Sequence, residues 1–420
     1  MSVFRIQGGQ RLSGSVAVQG AKNSVLPILA ATVLARGECV LRNCPPLTDV
    51  EYTLDILRHM GCGVKREGGT VWVDASVPTD CVIPDELMRE MRSSVIFLGP
   101  VLGRMGRAEL TYPGGCELGP RPIDLHLAAL RTLGAEIEER NGRLICQGEL
   151  TGGSITLSLA SVGATENAML AAVAAKGTTT ITNAAREPEI VELQEFLRTL
   201  GADVRGAGSS VIVIEGGKPL HGGEHTIRPD RIVAATYLSA VACAGGEGEL
   251  LGVDWRQLST VTAALVEAGC QVESGSDSIH IAVQEPLGAV RPLRTAPYPG
   301  FPTDAQAVVM AALCKAQGAT VFVENMFESR YRHVDEISRM GADIRVEGRV
   351  AVVCGVPRLF GARVQATDLR GGAALVVAGL GAEGETVVSG TRHIRRGYGD
   401  LAGDLRALGA KIWLEEEIVI

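Results

Sequence analysis

The sequence predicts an α/β protein built from six copies of one unit of about 70 residues, three copies to each of two domains. The first observation is a small-apolar run that recurs six times, each closed by glycine, at Gly37, Gly106, Gly177, Gly245, Gly318 and Gly384. The second is an amphipathic segment that follows each run and ends in LRHMG, LRTLG, LRTLG, LVEAG, ISRMG or LRALG. Its closing glycines, Gly61, Gly134, Gly201, Gly269, Gly341 and Gly409, are 73, 67, 68, 72 and 68 residues apart. A fixed period means one supersecondary unit used repeatedly. The third is a Gly/Pro/His-rich stretch at 216–231, GGKPLHGGEHTIRPDR, between the third and fourth units. Its composition predicts a linker, and hence a hinge with a ligand cleft between the two trios.

Within a unit, the Ala/Val-rich run is apolar nearly all round, so it reads as a helix buried in a core. Its closing glycine is expected to supply a left-handed C-cap. A short β-type stretch follows, such as CVLRN, TTITN or TVFVEN. The second helix is amphipathic. In VELQEFLRTLG the spacing puts Val191, Phe196, Leu197 and Leu200 on one face, and Pro188 opens the helix in its first turn. Alternating stretches such as GADVRGAGSSVIVIEG then read as strand, turn and strand. Three such units pack naturally as a barrel-like domain with helices inside and sheets outside.

A chain of 420 residues has ample apolar material for two or three cores. Its 40 Lys and Arg against 48 Asp and Glu give a net charge of −8, which argues against broad nucleic-acid binding. An anionic ligand must then be caught by a local cluster of cations. No apolar run reaches membrane-spanning length and the N-terminus shows no export signal, so a cytoplasmic protein without a membrane partner is expected. The ten cysteines form no CxxC and no zinc spacing, and most are expected to be buried, reduced thiols. P-loop and HExxH motifs are absent, and no metal or other cofactor is expected.

The first closing glycine precedes the second by 24, 28, 24, 24, 23 and 25 residues across the units. Only the second unit is stretched, and its extra residues fall in YPGGCELGPRPIDLH, 112–126. An insertion peculiar to one copy of a repeat is a functional loop, which singles out Cys116. Helix openings carry Lys22 and Asn23, Arg92, Asp304, and Asp368 with Arg370. A helix N-terminus suits phosphate or carboxylate, although Asp304 and Asp368 could each be only an N-cap. Loop arginines Arg121, Arg186, Arg330 and Arg396 recur at related places in different units. Cys, Lys, Asp and several Arg with no metal cage fit proton transfer on a multiply anionic substrate.

The blocks GAKNSVLP, MRSS, PGGCELGPRPIDLH, SVGATENAML, NAAREPEIVEL, RTAPYPGFPTDAQA, FESRYRHVDEISRMG, ATDLR and HIRRGY resemble those of the UDP-N-acetylglucosamine 1-carboxyvinyltransferase family, end to end and in order. The resemblance implies a two-domain inside-out α/β barrel, with one domain at 21–229 and the other at 1–20 plus 230–420. It implies phosphoenolpyruvate and UDP-N-acetylglucosamine as substrates and transfer of the enolpyruvyl group to the sugar 3′-hydroxyl. It also implies that Lys22, Arg121 and Arg396 hold the phosphate, with Asn23 beside them, and that Arg330 and Arg370 lie around the enolpyruvyl carboxylate. Arg92, the stretch Arg121, Pro122, Ile123, Asp124 and Leu125, Ser161, Val162, Gly163, Asp304 and Met326 match the nucleotide-sugar pocket. Asp368 joins the substrate-binding set beside Arg370. Ala160 departs from relatives that carry Lys before SVGAT. On this reading Asp304 is the base at the sugar hydroxyl and Cys116 the acid that protonates the methylene carbon. Lys22→Ala is expected to leave the fold intact. The rival readings are the shikimate-pathway enolpyruvyl transferase and a non-catalytic UDP-sugar-binding paralogue.

Overall fold

The computed structural model describes residues 2–111, 123–284 and 286–417. These divide into two compact units, one holding 20–228 and the other 2–19 with 229–417. Among the described residues there are six four-stranded sheets with a common strand order. The third repeat shows the pattern. Ser154–Thr156 runs parallel to Gly177–Thr182, which pairs antiparallel with Val211–Gly216, itself paired antiparallel with Asp203–Arg205. Ile155, Ile181 and Ile212 form one row across this sheet and are all but inaccessible, while their strand neighbours face outward. That period-2 alternation is what a sheet with one covered face requires.

Each trio is completed by strands from elsewhere in the chain. In the first unit, Glu224–Thr226 supplies the parallel edge beside Glu38–Arg42. In the second, Ser2–Gln7 is inserted between Glu385–Ser389 and Lys411–Glu416, and Ser15–Ala17 runs beside Gly246–Leu251. The stretch at 216–231 contains the division between the two units, at 228/229, and carries structure on both sides of it. Its strand belongs to the first unit, where His225 Nε2 lies 3.1 Å from Glu192 and the Arg228 N–H donates to the same carboxylate. Asp230 caps the helix Arg231–Ala244 of the other unit.

The Ala/Val-rich runs are the inner helices. In the second unit Arg231–Ala244, Thr303–Leu313 and Leu369–Gly381 pack pairwise on one another, and only Leu369 of the last helix is not buried. Small residues permit the approach: a Cβ at Gly381 would lie 2.5 Å from Cys243 Sγ. In the first unit the inner helices are Lys22–Ala31, Leu98–Met105 and Val162–Ala174. The MRSS run divides into a 3₁₀ segment, Arg92–Phe97, and an α-helix, because Pro100 has no N–H to give the carbonyl four residues back.

The left-handed cap lies at the other glycine of each repeat. Gly61, Gly134, Gly201, Gly269, Gly341 and Gly409 all have φ between 83° and 107°. Each donates to the carbonyl three residues back and its successor to the one five back from itself, as Gly61 N–H to Arg58 and Cys62 N–H to Leu57. This is the Schellman closure. Of the first series only Gly106 is a left-handed C-cap. On the outer helix Pro188–Thr199 the buried face runs through Ile190, Leu193, Phe196 and Leu197, with Val191 half-buried at its margin.

Candidate active site

In the first unit, Lys22 is the first residue of its inner helix, and its Nζ lies 2.8 Å from Asp49 Oδ2 on the outer helix Thr48–His59. The Asp49 side chain is completely buried. Asn23 follows, half-buried, and Pro27 cannot donate to the Asn23 carbonyl. Ser161 caps the helix Val162–Ala174, its hydroxyl accepting from Ala164 N–H at 3.4 Å. Val162 and Gly163 are half-buried. Ile123 is buried at the start of the helix Asp124–Thr132, Asp124 is exposed and Leu125 half-buried.

One buried residue joins these segments. Asn167 Nδ2 donates to the Val95 carbonyl at 2.9 Å and contacts His126 Nδ1 at 3.0 Å, while its Oδ1 accepts from Gly99 N–H at 2.6 Å. The amide nitrogen can only donate, so Nδ1 accepts and the neutral His126 ring carries its proton on Nε2. A Cβ at Gly163 would lie 3.3 Å from that Nε2. Asn167 thus ties the 3₁₀ segment that begins at Arg92 and the helix that begins at Asp124 to the helix that begins at Val162. Cys116, Arg121 and Pro122 lie outside the described residues.

In the second unit the centre is Asp304. The two aspartates at inner-helix openings have separate roles. Asp368 is an N-cap, with Oδ1 accepting from the N–H groups of Arg370 and Gly371 at 3.0 and 2.9 Å. Asp304 is not; Pro302 holds that position, and the Asp304 carboxylate instead receives Arg330 Nη2 at 2.5 Å and Arg370 Nη2 at 3.2 Å. Both guanidinium groups are 3% exposed, against 28% for the carboxylate they hold. Two buried cations behind one accessible carboxylate fix its orientation and leave it open to a ligand.

Arg330 also donates through Nε and Nη2 to the Thr303 carbonyl. Arg370 Nη1 donates to the Tyr398 hydroxyl at 3.3 Å, which lies 2.7 Å from Thr236 Oγ1. His333 is buried beside Asp368 and Arg330, and burial pushes its ring down to about 4. Met326 is half-buried and its N–H donates to Glu324. Arg396 is half-buried just past the short helix Thr391–Ile394.

Nine cysteines fall among the described residues and all are free, seven of them buried. Burial pushes the thiols of Cys39, Cys62 and Cys146 up to about 11 and those of Cys44 and Cys270 up to about 12. Thiols of that kind are poor nucleophiles and poor acids at neutral pH. No group of acidic, His and Cys side chains suited to a metal ion, and no helix long and apolar enough to cross a membrane, occurs among the described residues.

Asp49, Asn167 and Glu324 are absent from the sequence-derived set. Asp49 and Glu189 stand twelve residues before Gly61 and Gly201, so the first and third repeats share an acidic residue at that place.

Residues 6–405 match the family described as EPSP synthase (3-phosphoshikimate 1-carboxyvinyltransferase). The chain is 51% identical over 413 residues to UDP-N-acetylglucosamine 1-carboxyvinyltransferase 2 of Caldanaerobacter subterraneus subsp. tengcongensis, covering 98% of this chain and 99% of that one. It is 46% identical over 421 residues to the UDP-N-acetylglucosamine 1-carboxyvinyltransferase of Xylella fastidiosa, with the same coverage. Among solved structures, the enolpyruvyl transferase NikO from Streptomyces tendae superposes with a TM-score of 0.89 at 27% identity, covering 98% of both chains. EPSP synthase from Acinetobacter baumannii shares the fold, with a TM-score of 0.75 at 21% identity over 99% of this chain and all of that one.

Proposed function

We propose, for a chain that belongs to the EPSP synthase family of carboxyvinyl transferases, that it moves the enolpyruvyl group of phosphoenolpyruvate to the 3′-hydroxyl of UDP-N-acetylglucosamine and releases phosphate. The observation that carries this reading over the shikimate-pathway alternative is the gradient of identity. Whole-length relatives named for the UDP-sugar reaction stand at 45–51%, whereas the EPSP synthase structure stands at 21%. Retention of Asp304 between two buried arginines supports an enzyme rather than a sugar-binding paralogue.

The chemistry assigns work to each side chain. The sugar hydroxyl adds to the enol carbon of phosphoenolpyruvate; Asp304 takes its proton, and Cys116 gives a proton to the methylene carbon. The resulting tetrahedral adduct loses phosphate, and a proton leaves the new methyl group to restore the alkene. Lys22, Arg121 and Arg396 hold the phosphate as its charge develops. Arg330 and Arg370 aim the Asp304 carboxylate, and Arg92, Asp124 and the Ser161–Gly163 helix opening serve the nucleotide sugar. Such a product is a cell-wall precursor, and the reaction belongs in the cytoplasm. Phosphate release that requires both substrates tests the assignment.

A further inference from the structure

Glu324 has no solvent exposure, yet it is a carboxylate. It stands six residues past Gly318, where the first, third and sixth repeats place Asn43, Asn183 and Gly390 with left-handed backbones. Asn43 and Asn183 donate their side-chain amides to the carbonyls of Ile227 and Leu157, the residues that follow the edge strands. In the fifth repeat that task passes one residue on, to Asn325, whose Nδ2 donates to the Thr295 carbonyl at 3.0 Å. A buried charge now occupies the position the asparagine holds elsewhere. Burying a carboxylate is costly unless its lone pairs are used, and the equivalent junctions are built without one.

Its oxygens show what the charge does. Oε1 accepts from Thr295 Oγ1 at 3.0 Å and from the N–H groups of Met326 and Phe327 at 2.7 and 3.0 Å. Oε2 accepts from Thr303 Oγ1 at 2.9 Å. Thr303 is thereby held at both ends, because its carbonyl takes Arg330 Nε and Nη2 at 3.3 and 3.2 Å. The next residue is Asp304, which receives the same Arg330. One carboxylate therefore pins the loop that carries Met326 and Arg330 to the helix opening that carries Asp304.

We propose that Glu324 is a positioning residue that sets the Asp304–Arg330 geometry through Thr303 and the Met326–Phe327 backbone. The inference rests on the enolpyruvyl-transfer reading for its assay. Glu324→Ala, Glu324→Gln and Thr303→Val are compared with the parent enzyme in phosphate release from phosphoenolpyruvate and UDP-N-acetylglucosamine, with folded protein quantified by circular dichroism. A misplaced catalytic group costs on the order of 10²-fold. Glu324→Ala is expected to lower kcat by about that factor with KM for both substrates changed less than about threefold. Thr303→Val, which removes one hydroxyl and keeps the side-chain volume, is expected to follow it in the same direction. Glu324→Gln keeps an oxygen for the two N–H groups and can donate to Thr303, so it should recover about tenfold over Glu324→Ala. A purely structural role would reduce the folded fraction and leave kcat per folded molecule unchanged, and that result would overturn the proposal. If Glu324→Ala does not fold, Thr303→Val with parental kcat overturns it equally. A parent enzyme that releases no phosphate overturns the reaction assignment, and this inference with it; an active parent with unaffected variants overturns the inference alone.

Discussion

Lys22 Nζ lies 2.8 Å from Asp49 Oδ2, a carboxylate with no solvent exposure. From the sequence alone Lys22 is a polar helix opener whose removal would spare the fold. The structure makes it a cation paired with a buried carboxylate. Breaking such a pair by deleting one member costs about 3–5 kcal/mol. Lys22→Ala is therefore expected to lose about 3 kcal/mol of stability at neutral pH as well as turnover, with Lys22→Arg less affected. Urea unfolding measures this, and an unchanged midpoint in Lys22→Ala would contradict the role given to the pair.

Asp304→Asn keeps the shape of the side chain but cannot take a proton. Turnover is expected to fall by about 10²–10⁴-fold while the affinity for UDP-N-acetylglucosamine changes much less. Steady-state kinetics alongside calorimetric binding of the sugar nucleotide separates the two. Near-parental kcat in Asp304→Asn would remove Asp304 as the base.

His333 gives the second unit a pH dependence. Burial lowers its folded value to about 4, with the Asp368 charge opposing and the Arg330 charge assisting. The unfolded imidazole titrates near ~6.5, so between the two values the unfolded chain binds the extra proton. The contribution is fully present above pH ~6.5 and is lost as pH falls towards 4, up to about 3 kcal/mol. His333→Gln should flatten the stability profile between pH 7 and 5. Parallel losses in parent and variant would contradict this.

The period, the buried helices and the strand hairpins were legible because they depend on residues close in sequence. Asp304 and Asp368 show where legibility ended. Both are aspartates at inner-helix openings, but Asp368 caps its own backbone while Asp304 meets Arg330 from a later loop of its own repeat and Arg370 from the next repeat. Local spacing cannot separate those roles. Asp49, Asn167 and Glu324 were missed for the same reason, since each acquires its meaning from partners on other elements. The insertion of Ser2–Gln7 into the sixth repeat's sheet is likewise a long-range pairing that no local pattern records. The left-handed cap expected at the first glycine of each pair is found there at Gly106; elsewhere it lies at the second glycine, since both glycines of a pair close a helical run and spacing does not separate them.

Cys116 lies outside the described residues, so its reactivity is a matter for chemistry. The seven buried cysteines are shielded. Fosfomycin, an epoxide, should label Cys116 alone and stop turnover, faster with UDP-N-acetylglucosamine present. Cys116→Asp should escape the label and keep activity, because a carboxylic acid can also deliver the proton. Peptide mapping reads the site, and label on another cysteine would remove Cys116 as the acid.

Phosphate release on mixing purified protein with phosphoenolpyruvate and an acceptor measures the reaction directly. Stoichiometric phosphate and a new carboxyvinyl ether by mass spectrometry are expected with UDP-N-acetylglucosamine, and neither product with shikimate 3-phosphate or with phosphoenolpyruvate alone. Release with shikimate 3-phosphate, or none with either acceptor from folded protein, would contradict the assignment.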